Sequence, residues 1–263
     1  MKITLNRHHY TIPNTWAEIK PKVLLKLAPL LFSFAYLESP SAFRYALLSC
    51  YIPAKRLAKL PEEYLNTLLE LLSFTHTEKP ILPVPTFKIR FTTYTINPTK
   101  LTLFQLAYAH FHLRYLNSPP SQGGVPEGRG GLQQALDEIS ATLLLPKNQK
   151  FTEAQKEKQQ ALFKTKLPLA HKLLIVLWLI QHHQATVIDR YGSNTTKPEP
   201  EENEEEDPST TDQPPTNGPD YGYFPFILSL AHQGVYGTYE QVCDIPYETA
   251  FFNAHLYKTM TEK

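Results

Sequence analysis

Cysteine is nearly absent from the 263-residue chain: only Cys50 and Cys243 occur, far apart. That excludes a disulfide framework and the closely paired spacing of zinc ligands, so both read as small buried apolar residues. Long hydrophobic runs are missing too. The strongest, Leu173 to Ile180, holds eight residues between Lys172 and Gln181, too few to cross a bilayer. A helix that is apolar all round and cannot span a membrane belongs in a protein core. The amino terminus, Met1-Lys2-Ile3-Thr4-Leu5-Asn6-Arg7, turns polar at once. It has no signal-peptide core, and a cytoplasmic location is the expectation.

Glycine clusters in one place, Gly123-Gly124 through Gly130-Gly131 with Arg129 inside. No Gly-Lys-Ser/Thr follows, which excludes a phosphate-cradling loop and leaves a surface connection ending the preceding helix. No Gly-x-Ser-x-Gly elbow marks a nucleophile. The one dense acidic group lacks the alternation and turn glycine of a calcium loop. No residue is nominated as catalytic, cofactor-binding or metal-binding, no cofactor is implied, and a non-enzymatic protein is expected.

Charge is near balance, with a formal net of +1 that hides an uneven distribution. Between Ser193 and Asp220 stand nine acids, among them Glu199, Glu201, Glu202 and Glu204 to Asp207, against the single base Lys197. The rest of the chain then holds 25 bases and 16 acids. This is a basic body carrying an acidic segment. Residues 193–218 are almost free of apolar side chains, so burial cannot offset the entropy of ordering them, and a disordered insertion is expected.

The patterning elsewhere is mainly helical. Lys2 to Ile12 alternates like an extended strand. Thr15 and Glu18 have the spacing of a capping box, and Pro21 suits a first helical turn continuing to Leu37. Further helices are predicted over Ser41 to Ile52 and after Pro61. Pro80, Pro83 and Pro85 break the helical pattern. Phe87, Ile89, Phe91 and Thr92 to Ile96 then predict one or two short strands, which could pair with the amino-terminal one. Helical spacing resumes from Thr102 to Leu116, Leu132 to Leu144, Glu153 to Lys164, Leu167 to about Arg190, Phe224 to Ala231 and Tyr247 to Met260, with a turn of helix from Thr238 to Val242. The predicted fold is mainly α, an irregular helical bundle with a small β element and a long disordered acidic loop. Residues 1–99 form an amino-terminal helical subdomain. Residues 100–192 and 221–263 form a carboxy-terminal module that packs back on the Leu167 helix and is interrupted by the 193–220 insertion.

Three histidine groups raise a metal hypothesis: His8-His9, His110 with His112, and His182-His183. Neighbours one or two apart diverge on a helix, where a metal pair needs three or four, so ordinary surface or interface histidines are expected. Lys20, Lys22, Lys26, Arg44, Lys55, Arg56 and Lys59 concentrate positive charge near Trp16, Tyr36, Phe43, Tyr45 and Tyr51. That pattern suits phosphate contacts, although the excess is modest for a dedicated nucleic-acid binder.

Leu5 through Leu27, with Ile12-Pro13-Asn14-Thr15-Trp16-Ala17-Glu18-Ile19 at its centre, resembles the opening of proteins encoded in phage and prophage structural clusters. Leu101-Thr102-Leu103-Phe104-Gln105-Leu106-Ala107-Tyr108 through Tyr115, and Leu228 through Val242, are similar to later parts of the same proteins. The resemblance implies a small helical factor of tail or virion assembly, in some cases a chaperone that shields hydrophobic tail segments. Its partners would be other phage structural proteins, in the host cytoplasm or the virion, with no membrane. It assigns no residue a binding role. Physically, Trp16 reads as an anchor, Glu18 as a cap, and Gly234 and Gly237 as backbone requirements at a turn. The alternative from another class is a nucleic-acid-associated protein whose acidic loop restrains its basic body.

Overall fold

The computed structural model describes residues 1–5, 7–33, 38–117, 129–147, 149–192, 223–234 and 236–261. The acidic segment 193–220 and the glycines at 123, 124 and 128 lie outside the described residues. So do Tyr36 and the part of the first predicted helix beyond Ser33.

The chain opens with a hairpin rather than a single strand. β1 (Lys2–Leu5) pairs antiparallel with β2 (His8–Thr11). Arg7, at φ 67, supplies the left-handed residue of the turn. Leu5 and Ile12 are buried while Lys2, Thr4, His8 and His9 are exposed, and no glycine or proline marks the reversal between the two arms. The terminal ammonium of Met1 donates to the Ile12 carbonyl at 2.7 Å and closes the pair.

The capping box expected at Thr15 does not form, and Glu18 reaches one residue past the cap. Thr15 makes no side-chain cap, whereas Glu18 accepts from the Asn14 amide at 2.8 Å, and only a single 3-10 turn, Trp16–Glu18, results. Trp16 anchors as expected. Its ring packs against Phe43 and Phe74, and its indole N–H donates to the Glu78 carbonyl at 3.1 Å. α1 (Pro21–Phe32) then starts with proline at a position that needs no N–H. α2 (Pro40–Ser49) and α3 (Glu62–Glu70) complete the first layer, with short helical turns at Ala54–Leu57 and Phe74–Thr77.

β3 (Thr86–Ile89) and β4 (Thr92–Thr95) form a second hairpin with Arg90, at φ 55, in its turn. Its third strand is β5 (Leu145–Pro146), not the amino-terminal strand, and the order is β3-β4-β5. The two sheets are separate because each hairpin is held by a different helix set. Phe87 and Tyr94 pack on His171 and Phe163 of the later helices.

The remaining helices are α4 (Leu103–Asn117), α5 (Arg129–Leu143), α6 (Glu153–Lys166), α7 (Leu169–His183), α8 (Phe224–His232), α9 (Tyr239–Cys243) and α10 (Tyr247–Thr261). α5 starts at Arg129, so Gly130 and Gly131 belong to its first turn rather than to the glycine loop. α7 is the central helix, packed against α1 on one side and α5 on another, with Leu173, Leu174, Ile175, Val176, Trp178 and Leu179 buried. It does not run on to Arg190 as one α-helix: a π-helical segment, Gln184–Ile188, interrupts it. One apolar cluster links residues from Leu5 to Phe251. The starts of α4 and α10 are tied by Leu103 N–H to the Ile245 carbonyl (2.8 Å) and Tyr247 N–H to the Leu101 carbonyl (3.0 Å). Thr238 and Gln241 cap α9 reciprocally, and Gly237 at φ 87 brings the chain into that cap.

Candidate functional site

Two polar clusters lie inside the helical body. The first is built on α5, where Asp137 and Glu138 interrupt the apolar sequence Ala135, Leu136, Ile139. Being adjacent on a helix, they point about 100° apart and meet different neighbours. Asp137 faces Lys172 of α7 at 2.5 Å, with both side chains at most 4% exposed, and also accepts from Gln133 at 3.2 Å. Glu138 faces α4 and α6. One oxygen accepts from Gln160 (2.6 Å), and the other lies 3.4 Å from the Lys156 ammonium and 3.2 Å from the Tyr108 hydroxyl. Lys156 donates to that same hydroxyl at 2.8 Å and sits 4.1 Å from the centre of its ring. Burial pushes the Tyr108 phenol up, and Lys156 is raised by its phenol and carboxylate neighbours against the opposing effect of burial. His112, whose ring is 4.6 Å from Tyr108, is held down by burial.

The second cluster is made of histidine and tyrosine. His183 shares a hydrogen bond with the Tyr223 hydroxyl, and its ring lies 4.3 Å from that of His110 on α4. Burial, then the neighbouring His182, lowers His183 to about 4, so it is neutral at pH 7. The His182 ring stacks on Trp178, and its Nε2 lies 2.6 Å from the Tyr247 hydroxyl. That hydroxyl also reaches Thr186 Oγ1 at 3.1 Å and Glu248 at 3.2 Å, and burial pushes the phenol up. The wider π turn places Thr186 there, with its hydroxyl donating back to the His182 carbonyl at 2.6 Å.

The sequence groups were therefore placed unevenly. His8 and His9 are exposed on β2, as expected. His110, His112, His182 and His183 are instead half-buried between helices, and His110 meets His183 from a distant part of the chain. Within each group the spacing diverges as read, but convergence between groups had no local signal. Asp137 and Glu138 did have one: two acids inside an apolar helical stripe. Among the described residues no three His, Cys, Asp or Glu side chains are grouped to hold a metal ion. Cys243 is buried, whereas Cys50 is only half-buried at the end of α2, and both thiols are free.

The surface carries two further features. On α10, Tyr247, Ala250 and Phe251 point into the core, while Phe252, Leu256 and Met260 recur every four residues on the opposite side. They are 53%, 47% and 70% exposed, with Tyr257 beside them. At the other end, residues 1–60 contain nine bases and two acids. Lys2, Arg7, Lys20, Lys22, Lys26, Lys55 and Lys59 are exposed, and none of the nine forms an ion pair among the described residues. Arg56 bonds the Tyr10 hydroxyl, which joins the β1–β2 hairpin to this basic region.

Among the described residues no helix is long and apolar enough to cross a membrane. No family model, no curated protein and no solved structure matches the chain.

Proposed function

We propose that the protein is a non-enzymatic binding factor that holds apolar segments of other proteins, and that those partners are components of a phage tail or virion. The observation that carries this reading is the outward stripe of Phe252, Leu256 and Met260 on α10. A helix whose inner face is already buried gains nothing in its own fold from a second apolar face; such a stripe is a docking surface for a partner's apolar side chains. The interior supports the same reading. The ionisable groups of the cluster on α5 are engaged with one another, Glu138 with Lys156, Tyr108 and Gln160, and Asp137 with Lys172. Co-expression with tail components followed by co-purification tests it. Capture of a tail protein, lost at least tenfold in Leu256→Glu and Phe252→Glu variants of unchanged circular dichroism, supports the proposal. A pure protein that binds none of them, or that uses α10 only to pair with a second copy of itself, overturns it.

A second reading, nucleic-acid association, is favoured by the basic region of residues 1–60, with nine bases against two acids. Deleting residues 193–220 then raises affinity for duplex DNA or RNA at low salt, and log affinity falls steeply with log salt. Unchanged affinity after the deletion rejects the restraining role of the acidic segment.

A further inference from the structure

A cavity of about 340 Å³ opens beside β3. Its walls are Pro21 and Leu25 of α1, the stretch from Pro83 to Ile89, and the approach to α7 with Leu167, His171 and Leu174. None of the lining residues comes from β4, so the cavity runs along the outer edge of the sheet. The Pro-rich stretch forming one wall is fixed to α7 by the Leu82 amide, which donates to the Gln181 side chain at 2.9 Å.

The edge itself is open. β3 is the terminal strand of the order β3-β4-β5. Ile89 and Thr92 flank the two-residue turn, so they and the pair Phe87 and Tyr94 exchange the ladder hydrogen bonds. The bond from the Ile96 amide to the Pro85 carbonyl continues the same alternation. Thr86 and Lys88 must then turn their N–H and C=O groups away from β4, toward the gap before α1. Neither makes a backbone hydrogen bond to another segment among the described residues.

An edge strand facing a helix across an apolar gap has the construction of a groove that takes an extended peptide as an added strand. We infer that this groove binds an extended, alternating acidic and apolar peptide of another protein, paired antiparallel or parallel to β3 through the backbone of Thr86 and Lys88. Apolar side chains of the peptide enter the space between Leu25, Leu167, Leu174 and Phe87. Its carboxylates meet Lys88 and Lys166, both exposed at the rim and neither in an ion pair among the described residues. His171 presents a buried Nδ1 without a hydrogen-bond partner on the same wall. The volume is at the lower end of ligand-sized pockets, roughly 300–1,000 Å³, which suits one or two side chains. The chain's own acidic segment is a poor occupant, because its only apolar side chains in residues 193–220 are prolines, which cannot donate the N–H groups of an added strand, and it has no Val, Leu, Ile, Met, Phe, Tyr or Trp to fill the space. The groove extends the protein-binding reading to a second surface and uses no residue of α10, so either surface can fail without the other.

The test uses the full chain and a fluorescein-labelled hexapeptide alternating valine and glutamate, followed by anisotropy and by hydrogen exchange. Saturable binding that slows exchange at the Thr86 and Lys88 amides is the expected result. N-methylating the peptide on alternate amides should reduce affinity at least tenfold. The double variant Lys88→Glu and Lys166→Glu should reduce it by a similar factor and regain it with a valine–lysine peptide. Because both lysines are exposed, these substitutions leave the fold intact. Deleting residues 193–220 should leave the affinity unchanged; a large gain would identify that segment as the occupant and overturn the proposal. Absence of binding up to about 1 mM, or equal binding by the N-methylated peptide, would also overturn it.

Discussion

The two interior clusters lie in the same helical body yet solve burial in opposite ways. Around α5 the polar groups are charged and arranged as complementary pairs, Asp137 with Lys172 and Glu138 with Lys156. Around the end of α7 the imidazoles are disfavoured as cations by burial, with His182 and His183 each facing a tyrosine hydroxyl and Glu248 at the margin. A buried ion needs its counter-ion, whereas a buried neutral imidazole needs only a hydrogen bond and becomes costly when protons are plentiful. The first cluster should therefore be sensitive to deletion of a partner and the second to pH.

Lys172→Met provides the largest separation. It leaves the Asp137 carboxylate buried and unpaired, and should cost about 3–5 kcal/mol in urea unfolding. The double variant Lys172→Met with Asp137→Leu should recover most of that loss. A single variant costing under about 1 kcal/mol would erase the distinction between the clusters.

Acid should act on the second cluster. His183 is lowered in the folded state to about 4, against about 6.5 when unfolded. The unfolded chain thus binds the proton first, and stability is complete above pH 6.5 and lost as pH falls toward 4. The loss attributable to His183 is about 3 kcal/mol, and burial lowers His112, His171 and His182 in the same direction. Urea midpoints measured from pH 7 to pH 4 should fall, and His183→Gln should flatten that profile; an equal slope in the variant removes His183 from the account.

Two tyrosine substitutions give the finest comparison. Tyr247→Phe takes from His182 Nε2 and Thr186 Oγ1 a shared partner, and should cost about 1–3 kcal/mol in thermal unfolding. Tyr108→Phe leaves Glu138 with Lys156 and Gln160, so it should cost no more than about 1 kcal/mol. The reverse order would show that the charged cluster depends on its phenol more than on its lysine.

Helices were legible from their apolar stripes, and two start signals that the periodicity did not need were there as well. Thr152 caps α6 by accepting from the Gln155 amide, and Thr238 and Gln241 box α9; both lie in local sequence. The strands were read as extended, but their partners were not. Nothing in residues 86–96 names Leu145 and Pro146 as the third strand, since pairing between distant segments is decided by which helices carry each hairpin. The turn at Arg7 was missed because a non-glycine residue in the left-handed region carries no compositional mark.

The candidate sites divide along the same line. The outward stripe of α10 is written in the chain as Phe252, Leu256 and Met260, but the sequence cannot say which of two apolar faces the core will take. Lys172 was visible only as the boundary of an apolar run, and Asp137 and Glu138 as acids inside a helix.

From sequence alone came the helical class, the helix starts marked by Pro21, Pro40 and Pro61, the central position of the Leu173 to Ile180 run, and the contrast between a basic body and an acidic segment. These follow from side-chain period, backbone chemistry and charge, all of which act over a few residues. Tertiary structure alone decided that Lys172 would meet Asp137, that His110 would meet His183, and that β3 would be the terminal strand of its sheet. Such meetings arise from the packing of whole helices, and the energy that fixes them is shared by the entire core rather than recorded at any one position.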